Sequence, residues 1–261
     1  MKIPFTKASA CGNDFLIMEM QYAPQDIHAF TRRLCDRHNG IGADGVEWLM
    51  AGAGDVDASI RLINADGSQA EISGNGTRCV AAYLAANKGS RHLSINTGAG
   101  IKHCKLISHN DMSFEFETEM GRPQVEQPFG VKLGDAEVSG TPVSMGNPHY
   151  VIFVENFPSA WQTEATAIQK QPAFKQGVNV EFVRVIDSGA IEARFFERGA
   201  GETMSSGTGS CASAAAAIAV GHVKSPVVVN APGGSQVVRW DGDTVFLRGP
   251  AQLICYGAFF V

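Results

Sequence analysis

The sequence lacks the features that mark membrane proteins and secreted proteins. Only 18% of its 261 residues are charged and 8% are aromatic. No apolar run approaches the roughly eighteen residues that cross a bilayer, and the N-terminal segment MKIPFTKASACGNDF has no secretory apolar core. The composition therefore predicts a soluble, cytoplasmic protein without a membrane partner.

Other absences narrow the kinds of partner and cofactor. The formal net charge is -5 and no Lys/Arg-rich run occurs, whereas nucleic-acid binding needs a concentrated basic surface. The six cysteines form no CxxC pair, and a chain of this size has little need of disulfides. No His/Cys/carboxylate cluster has metal-ligand spacing. We predict reduced thiols, no metal, no nucleic acid and a small-molecule partner.

An internal duplication is what the sequence does contain. The segment GNDFLIM from Gly12 corresponds to GNPHYVIFV from Gly146, and each is followed by helix-like, strand-like and glycine-rich segments in the same order. Ser73 lies nine positions after Asn64, and Ser206 lies nine positions after Glu197. Such agreement predicts two copies of one α/β unit.

The predicted fold class is α/β (α+β), with two pseudo-symmetric domains, each a β-sheet wrapped around a central helix, and an active-site cleft between them. The runs RCVAAYLAANK and CASAAAAIAV are too apolar for exposed helices and are the predicted central helices. The segment EMGRPQVEQPFG suits a crossover, and the tail CYGAFFV is expected to return to the first sheet. The predicted domains are 1–119 plus 251–261, and 120–250.

The two glycine-rich segments, SGNGTRC from Ser73 and SGTGSC from Ser206, precede these helices. Backbone amides without helical partners and the positive end of the macrodipole make helix starts suitable for anions. Amide side chains both donate and accept hydrogen bonds, Arg198 can bind a carboxylate, and Glu197 can hold an ammonium group. These residue types predict a pocket for an amino acid or an amino diacid.

The motifs GNDF, GIGAD, NADGSQAEISGNGTRC, GNPH, GVNVEF and ERGAGETMSSGTGSCA occur in this order over nearly the whole chain. Together they resemble the diaminopimelate epimerase family. The resemblance implies interconversion of LL- and meso-diaminopimelate, on the route to lysine and peptidoglycan, without pyridoxal or any other cofactor. It also implies the two-domain fold and suggests a homodimer.

The resemblance further implies a set of site residues. Ser73 and Ser206 occupy the two acid/base positions, with His149 and Glu197 beside them. The α-carboxylate is expected on the helix starts and the distal carboxylate on amide and guanidinium groups, with Asn13 and Glu197 orienting the amino acid. The expected substrate-binding residues are Asn13, Asn64, Gly74, Asn75, Asn147, Asn179, Glu197, Arg198, Gly207 and Thr208.

The chain departs from the family at both acid/base positions, where the family has cysteines. A thiol at a helix start can become a thiolate near neutral pH, but a serine hydroxyl ionises several units higher. We therefore expect impaired thiol-type epimerisation. Cys79 and Cys211 are expected in the cores, and Cys11 nearer the site. Alternatives are a related isomerase or lyase for another amino or hydroxy acid, and an impaired or engineered substrate-binding variant.

Overall fold

A computed structural model describes residues 2–134 and 136–261 of the chain. The chain forms two compact units: unit 1 comprises Met1–Thr118 with Gly249–Val261, and unit 2 comprises Glu119–Arg248. The divisions thus lie at 118/119 and 248/249, where the sequence predicted 119/120 and 250/251. Among the described residues, no helix is long and apolar enough to cross a membrane.

Unit 1 contains two helices and most of the first eight strands. Its helices are α1 (Ile27–Cys35) and α2 (Gly74–Lys88). The strands are β1 (Lys2–Ala10), β2 (Asn13–Glu19), β3 (Gly45–Ala51), β4 (Ala58–Asn64), β5 (Gln69–Ala70), β6 (His92–Thr97), β7 (Gly100–Asn110) and β8 (Ser113–Gly121), the last of which runs on into unit 2.

Unit 2 contains the helices α3 (Trp161–Gln169) and α4 (Gly207–Ala219). Its strands are β9 (Gln124–Val125), β10 (Phe129–Leu133), β11 (Ala136–Ser144), β12 (Pro148–Phe153), β13 (Asn179–Asp187), β14 (Ala190–Glu197), β15 (Gly201–Thr203), β16 (Val227–Ala231) and β17 (Gly234–Asp241). Strand β18 (Thr244–Phe260) begins in unit 2 and ends in unit 1, where it pairs antiparallel with β1.

The two units share one topology, which confirms the predicted duplication. In unit 1, β2 is parallel to β3, β3 is antiparallel to β4, and β4 is parallel to β6. In unit 2, β12, β13, β14 and β16 repeat these three pairings in the same order. Helices α1 and α3 connect the first parallel pairs, and α2 and α4 connect the second.

Helices α2 and α4 are the central helices predicted from the apolar runs. Within α4, Cys211 and the four consecutive residues Ala214–Ala217 have no exposed surface, and they pack against strands of unit 2. Cys79 and Val80 of α2 are likewise inaccessible within the core of unit 1. Alanine side chains allow a sheet to approach a helix closely from several sides.

Candidate active site

The first candidate site element is the N-terminus of α2, which Ser73 caps. The backbone of Ser73 is extended (φ -123°, ψ 122°), and its Oγ accepts a 3.1 Å hydrogen bond from the amide of Gly76. Serine is among the preferred residues at this position because its oxygen satisfies an amide that has no partner within the helix. The amides of the first turn, which includes Gly74 and Asn75, suit an anionic group.

The N-terminus of α4 repeats this arrangement in unit 2. Ser206 is extended (φ -138°, ψ 129°) and only 5% exposed, and its Oγ accepts a 3.1 Å hydrogen bond from the amide of Gly209. Gly207 and Thr208 begin the helix. The matching caps give both serines a structural role that the sequence comparison with the family's cysteines did not anticipate.

In unit 1, Asn13 and Asn75 belong to one polar network. A two-residue turn joins β1 to β2 through Cys11 and Gly12, both with positive φ, and so places Asn13 at the start of β2. Asn13 Nδ2 donates to Asp44 Oδ2 (3.1 Å), and Asn13 Oδ1 accepts from Asn75 Nδ2 (2.7 Å). The side chain of Asn75, a predicted binding residue, is therefore held in place by Asn13 of the β1–β2 hairpin.

Arg78 supports the same network from the next turn of α2. Its side chain is buried, and its guanidinium donates to Asn75 Oδ1 and to the carbonyl oxygen of Pro250. The Cys11 Sγ atom lies 3.9 Å from Arg78 Nη2, and burial raises the pKa of this thiol, with Arg78 opposing the rise. A buried guanidinium requires such partners because desolvation of an unpaired charge is unfavourable.

Asn64 lies at the end of β4, opposite Gly45 of β3. Its Nδ2 donates to Ser68 Oγ (3.0 Å) across the following turn. Asn64 is thereby held by its own loop, and its amide side chain is only partly buried. Its predicted role toward a distal carboxylate stays a prediction.

In unit 2, a chain of hydrogen bonds links strand β13 to the start of α4. His149 Nδ1 lies 2.6 Å from Glu181 Oε1, and both side chains are fully buried. His149 Nε2 lies 3.0 Å from Asn147 Oδ1, and Asn147 Nδ2 donates to Thr208 Oγ1 (3.4 Å). These contacts connect the buried Glu181 carboxyl, through the His149 ring and the Asn147 amide, to the first turn of α4.

Glu197 lies beside Ser206 at the same helix start. Burial raises the pKa of the Glu197 carboxyl above its ordinary value, a hydrogen bond with Ser206 opposes the rise, and the nearby Glu181 adds to it. Burial also raises the pKa of Glu181, with His149 acting in the opposite direction. Two carboxyls with raised pKa values beside one helix start are typical of sites for proton transfer.

Asn179 and Arg198 form a second connected pair in unit 2. Asn179 Nδ2 donates to the carbonyl oxygen of Pro148 (3.1 Å), and Asn179 Oδ1 accepts from the Arg198 amide (2.9 Å). The Arg198 guanidinium donates to the carbonyl oxygen of Gln176 (2.8 Å). Unit 2 thus brings together all of its predicted site residues: Asn147, His149, Asn179, Glu197, Arg198, Ser206, Gly207 and Thr208.

Sequence reasoning missed four buried or partly buried charged residues near these groups: Asp44, Glu47, Arg78 and Glu181. For two of them, the sequence contains a pattern that could have identified them. Glu47 and Glu181 each interrupt an apolar strand, in VEWLM and NVEFV, two residues after Gly45 and Asn179 respectively. Burial raises the pKa of Glu47 to about 8. A charged residue in an otherwise apolar strand is unusual and often functional.

The sequence matches the family model described as diaminopimelate epimerase over residues 5–126 and 141–254. The chain belongs to the diaminopimelate epimerase family. A diaminopimelate epimerase from Halothermothrix orenii is 37% identical over 100% of this chain and 99% of its own length. A diaminopimelate epimerase from Nitrosospira multiformis is 36% identical, with 98% of each chain covered. The relatives of this chain are thus isomerases.

Solved structures with the same fold are more distant in sequence. A hydroxyproline epimerase from Agrobacterium vitis has a TM-score of 0.74 at 14% identity, covering 99% of this chain and 91% of its own. A phenazine biosynthesis protein of the PhzF family from Bacillus anthracis also has a TM-score of 0.74 at 14% identity, with both chains fully covered. These likenesses establish the fold predicted from the duplicated motifs.

Proposed function

We propose that this chain interconverts LL- and meso-2,6-diaminopimelate without a pyridoxal cofactor, with Ser73 and Ser206 as the two acid/base groups. The observation that carries the proposal is the pair of equivalent helix starts, each capped by one of these serines. One serine removes the α-proton and the other delivers a proton to the opposite face of the carbon.

The helix starts supply the electrostatic part of the proposed reaction. The amides of Gly74 and Asn75, and those of Gly207 and Thr208, are the proposed donors to the α-carboxylate, where negative charge accumulates as the α-proton leaves. Asn64, Asn179 and Arg198 are the proposed partners of the distal carboxylate. Asn13 and Glu197 are proposed to orient the amino groups.

The serines set the expected rate. A helix start stabilises an anion by about 0.3 to 1 kcal/mol, and each pK unit corresponds to about 1.4 kcal/mol. The helix therefore lacks the energy to make a serine as acidic as a thiol. Proton transfer through a serine needs a neighbouring group that receives the hydroxyl proton, and Glu197 beside Ser206 is such a group.

The test is solvent exchange at the α-carbon. We expect LL-diaminopimelate in deuterated water to lose its α-proton NMR signal slowly in the presence of the protein. A variant with Ser73→Cys and Ser206→Cys should exchange at least about tenfold faster, because thiols ionise more readily. The control is the variant with Ser73→Ala and Ser206→Ala, which should not exchange.

If neither the unaltered chain nor the Ser→Cys variant exchanges the α-proton, the diaminopimelate assignment is overturned. A parallel panel of other amino acids and hydroxy acids then identifies the substrate of a related isomerase or lyase. We further propose that the protein acts in the cytoplasm, in lysine biosynthesis, as a homodimer. The family resemblance supports these assignments, and sedimentation velocity tests the dimer.

A further inference from the structure

Glu47 is a buried carboxyl that the predicted site does not use. It lies on β3 with no exposed surface, and within the described part of the chain neither of its carboxyl oxygens has a hydrogen-bond partner. An ionised carboxylate in such surroundings is strongly disfavoured. Burial accordingly raises the pKa of Glu47 to about 8, so that the protonated form predominates at neutral pH.

The Glu47 carboxyl lies against the first turn of α2. A Cβ atom added at Gly76 would lie 2.1 Å from Glu47 Oε1 and 3.3 Å from Ser73 Cβ. Gly76 is also the residue whose amide donates to Ser73 Oγ. Glu47 and Ser73 therefore both lie beside Gly76 at the helix start, and the absence of a side chain at position 76 makes room for the Glu47 carboxyl.

The duplication shows that this carboxyl lacks the partner its counterpart has. Ile17 pairs with Glu47 across β2 and β3, as Val151 pairs with Glu181 across β12 and β13. Glu181 bonds to His149, but the residue corresponding to His149 in unit 1 is Phe15. A phenyl ring cannot exchange a proton with a carboxyl, whereas the hydroxyl of Ser73, on the other side of Gly76, can.

We propose that Glu47 is a positioning residue that exchanges a proton with Ser73, directly or through one water molecule, during the reaction proposed above, on which this inference rests. As the Cα–H bond breaks, its electron pair stays on the substrate and its proton forms a bond to Ser73 Oγ. The hydroxyl proton of Ser73 moves in concert to the Glu47 carboxylate. In the reverse direction, the protonated Glu47 returns a proton to Oγ while Oγ protonates Cα.

Burial is the cause of the raised Glu47 pKa, and the groups packed against this carboxyl are mostly apolar. In the sheet, Ile17 of β2 and Leu62 of β4 flank it. From α2, the titratable Cys79 lies near enough for the Glu47 charge to add to the rise that burial causes in the pKa of this thiol. The Arg78 guanidinium is directed to Asn75 and Pro250.

The first experiment follows α-proton exchange in Glu47→Gln and Glu47→Leu against pH. We expect kcat to fall at least about tenfold in both variants, with KM changed less than about twofold, and the pH dependence near pH 8 to disappear. A thermal midpoint at or above that of the natural chain shows that the loss is not misfolding. The matched control is Glu119→Gln, an exposed carboxyl. If Glu47→Gln has the same kcat and the same pH profile as the unaltered chain, the proposal is overturned.

The second experiment needs no turnover and separates this inference from the substrate assignment. Ser73→Cys is made together with Cys255→Ser, which removes the one exposed cysteine among the described residues. Alkylation of the introduced thiol by iodoacetamide is followed against pH with and without Glu47→Gln. Because an ionised carboxylate nearby disfavours a thiolate, we expect Glu47→Gln to lower the midpoint by about half a pH unit or more.

An unchanged alkylation midpoint would overturn the role of Glu47 whatever the substrate is. A lowered midpoint without any exchange of diaminopimelate would instead support the coupling of Glu47 to position 73 and reject the proposed substrate. The two failures are therefore distinguishable.

Discussion

At the scale of single residues, the hydroxyls of Ser73 and Ser206 can each accept one hydrogen bond and donate another. Each oxygen accepts a hydrogen bond from a helix amide, which leaves the hydroxyl proton for a second acceptor. Glu197 fills that position for Ser206, and Glu47 is the group we propose for Ser73. A carboxyl beside each serine is a chemically sound replacement for an ionisable thiol, because it gives the transferred proton a destination.

Glu47 also makes the stability of the fold depend on pH. Its pKa is 4.5 ordinarily and about 8 in the folded protein. Between these values the unfolded chain has released a proton that the folded chain retains. The free energy of unfolding therefore falls as pH rises through this window, by about 1.4 kcal/mol per pH unit from this residue. Glu47→Leu should remove that contribution and raise stability at pH 8.

Urea unfolding at several pH values between 5 and 8.5 measures this effect. The Glu119→Gln variant, which changes an exposed carboxyl, should keep the natural pH dependence. Parallel curves for Glu47→Leu and the natural chain would contradict the prediction.

At the scale of elements, the second glycine of GNG and of GTG is required by packing around the helix starts. A Cβ on Gly76 would meet Glu47 Oε1 at 2.1 Å, and one on Gly209 would meet the Phe195 ring at 2.8 Å. Each glycine also donates its amide to the capping serine. The small third residue of each helix therefore brings its first turn close to the sheet that supports it.

Capping predicts a stability effect that differs from the catalytic one. Ser73→Ala should lower the free energy of unfolding by about 1 kcal/mol, because the Gly76 amide loses its acceptor. Ser73→Asn should keep most of that stability, since asparagine caps helices equally well. Neither variant should catalyse α-proton exchange.

Equilibrium urea unfolding at pH 7 compares the two variants. Equal losses of stability in Ser73→Ala and Ser73→Asn would show that the observed cap contributes little. Exchange of the α-proton by Ser73→Ala would show that Ser73 takes no part in the proposed proton transfer.

At the scale of the whole molecule, the duplication has produced two units with equal topology and different polar interiors. His149 and Glu181 form a buried pair in unit 2, whereas the corresponding residues Phe15 and Glu47 do not. The units also differ in continuity, because unit 1 is built from two separate segments of the chain and unit 2 from one. Unit 1 includes the C-terminal part of β18, which pairs with β1 from Lys2↔Phe260 to Ser9↔Gln252.

Deleting residues 249–261 should therefore destabilise unit 1 selectively. The deletion removes β18, one of the two partner strands of β1, together with the carbonyl oxygen of Pro250 that accepts from the buried Arg78. Hydrogen exchange followed by mass spectrometry should show loss of amide protection in β1 and β2, with protection retained in β13 and β14. Removal of Val261 alone is the control and should leave both regions protected. Uniform loss across both units would contradict this prediction.

The sequence by itself determined the duplication, the fold class and the family. Repeated motifs at fixed spacings carry this information locally, since helix starts, strand runs and turns depend on neighbouring residues. The recurrent serine and glycine positions likewise identified both helix starts, but the sequence analysis did not predict that the serines cap these helices.

Only the tertiary structure decided which charged side chains surround those helix starts. Glu47 and Ser73 are 26 positions apart, and Glu181 and His149 are 32 apart. Strand pairing brings Glu181 against His149, and the packing of α2 on its sheet brings Glu47 to Gly76. Whether a buried carboxyl finds a partner depends on such contacts between distant segments, and that partner sets its pKa and its capacity for proton transfer.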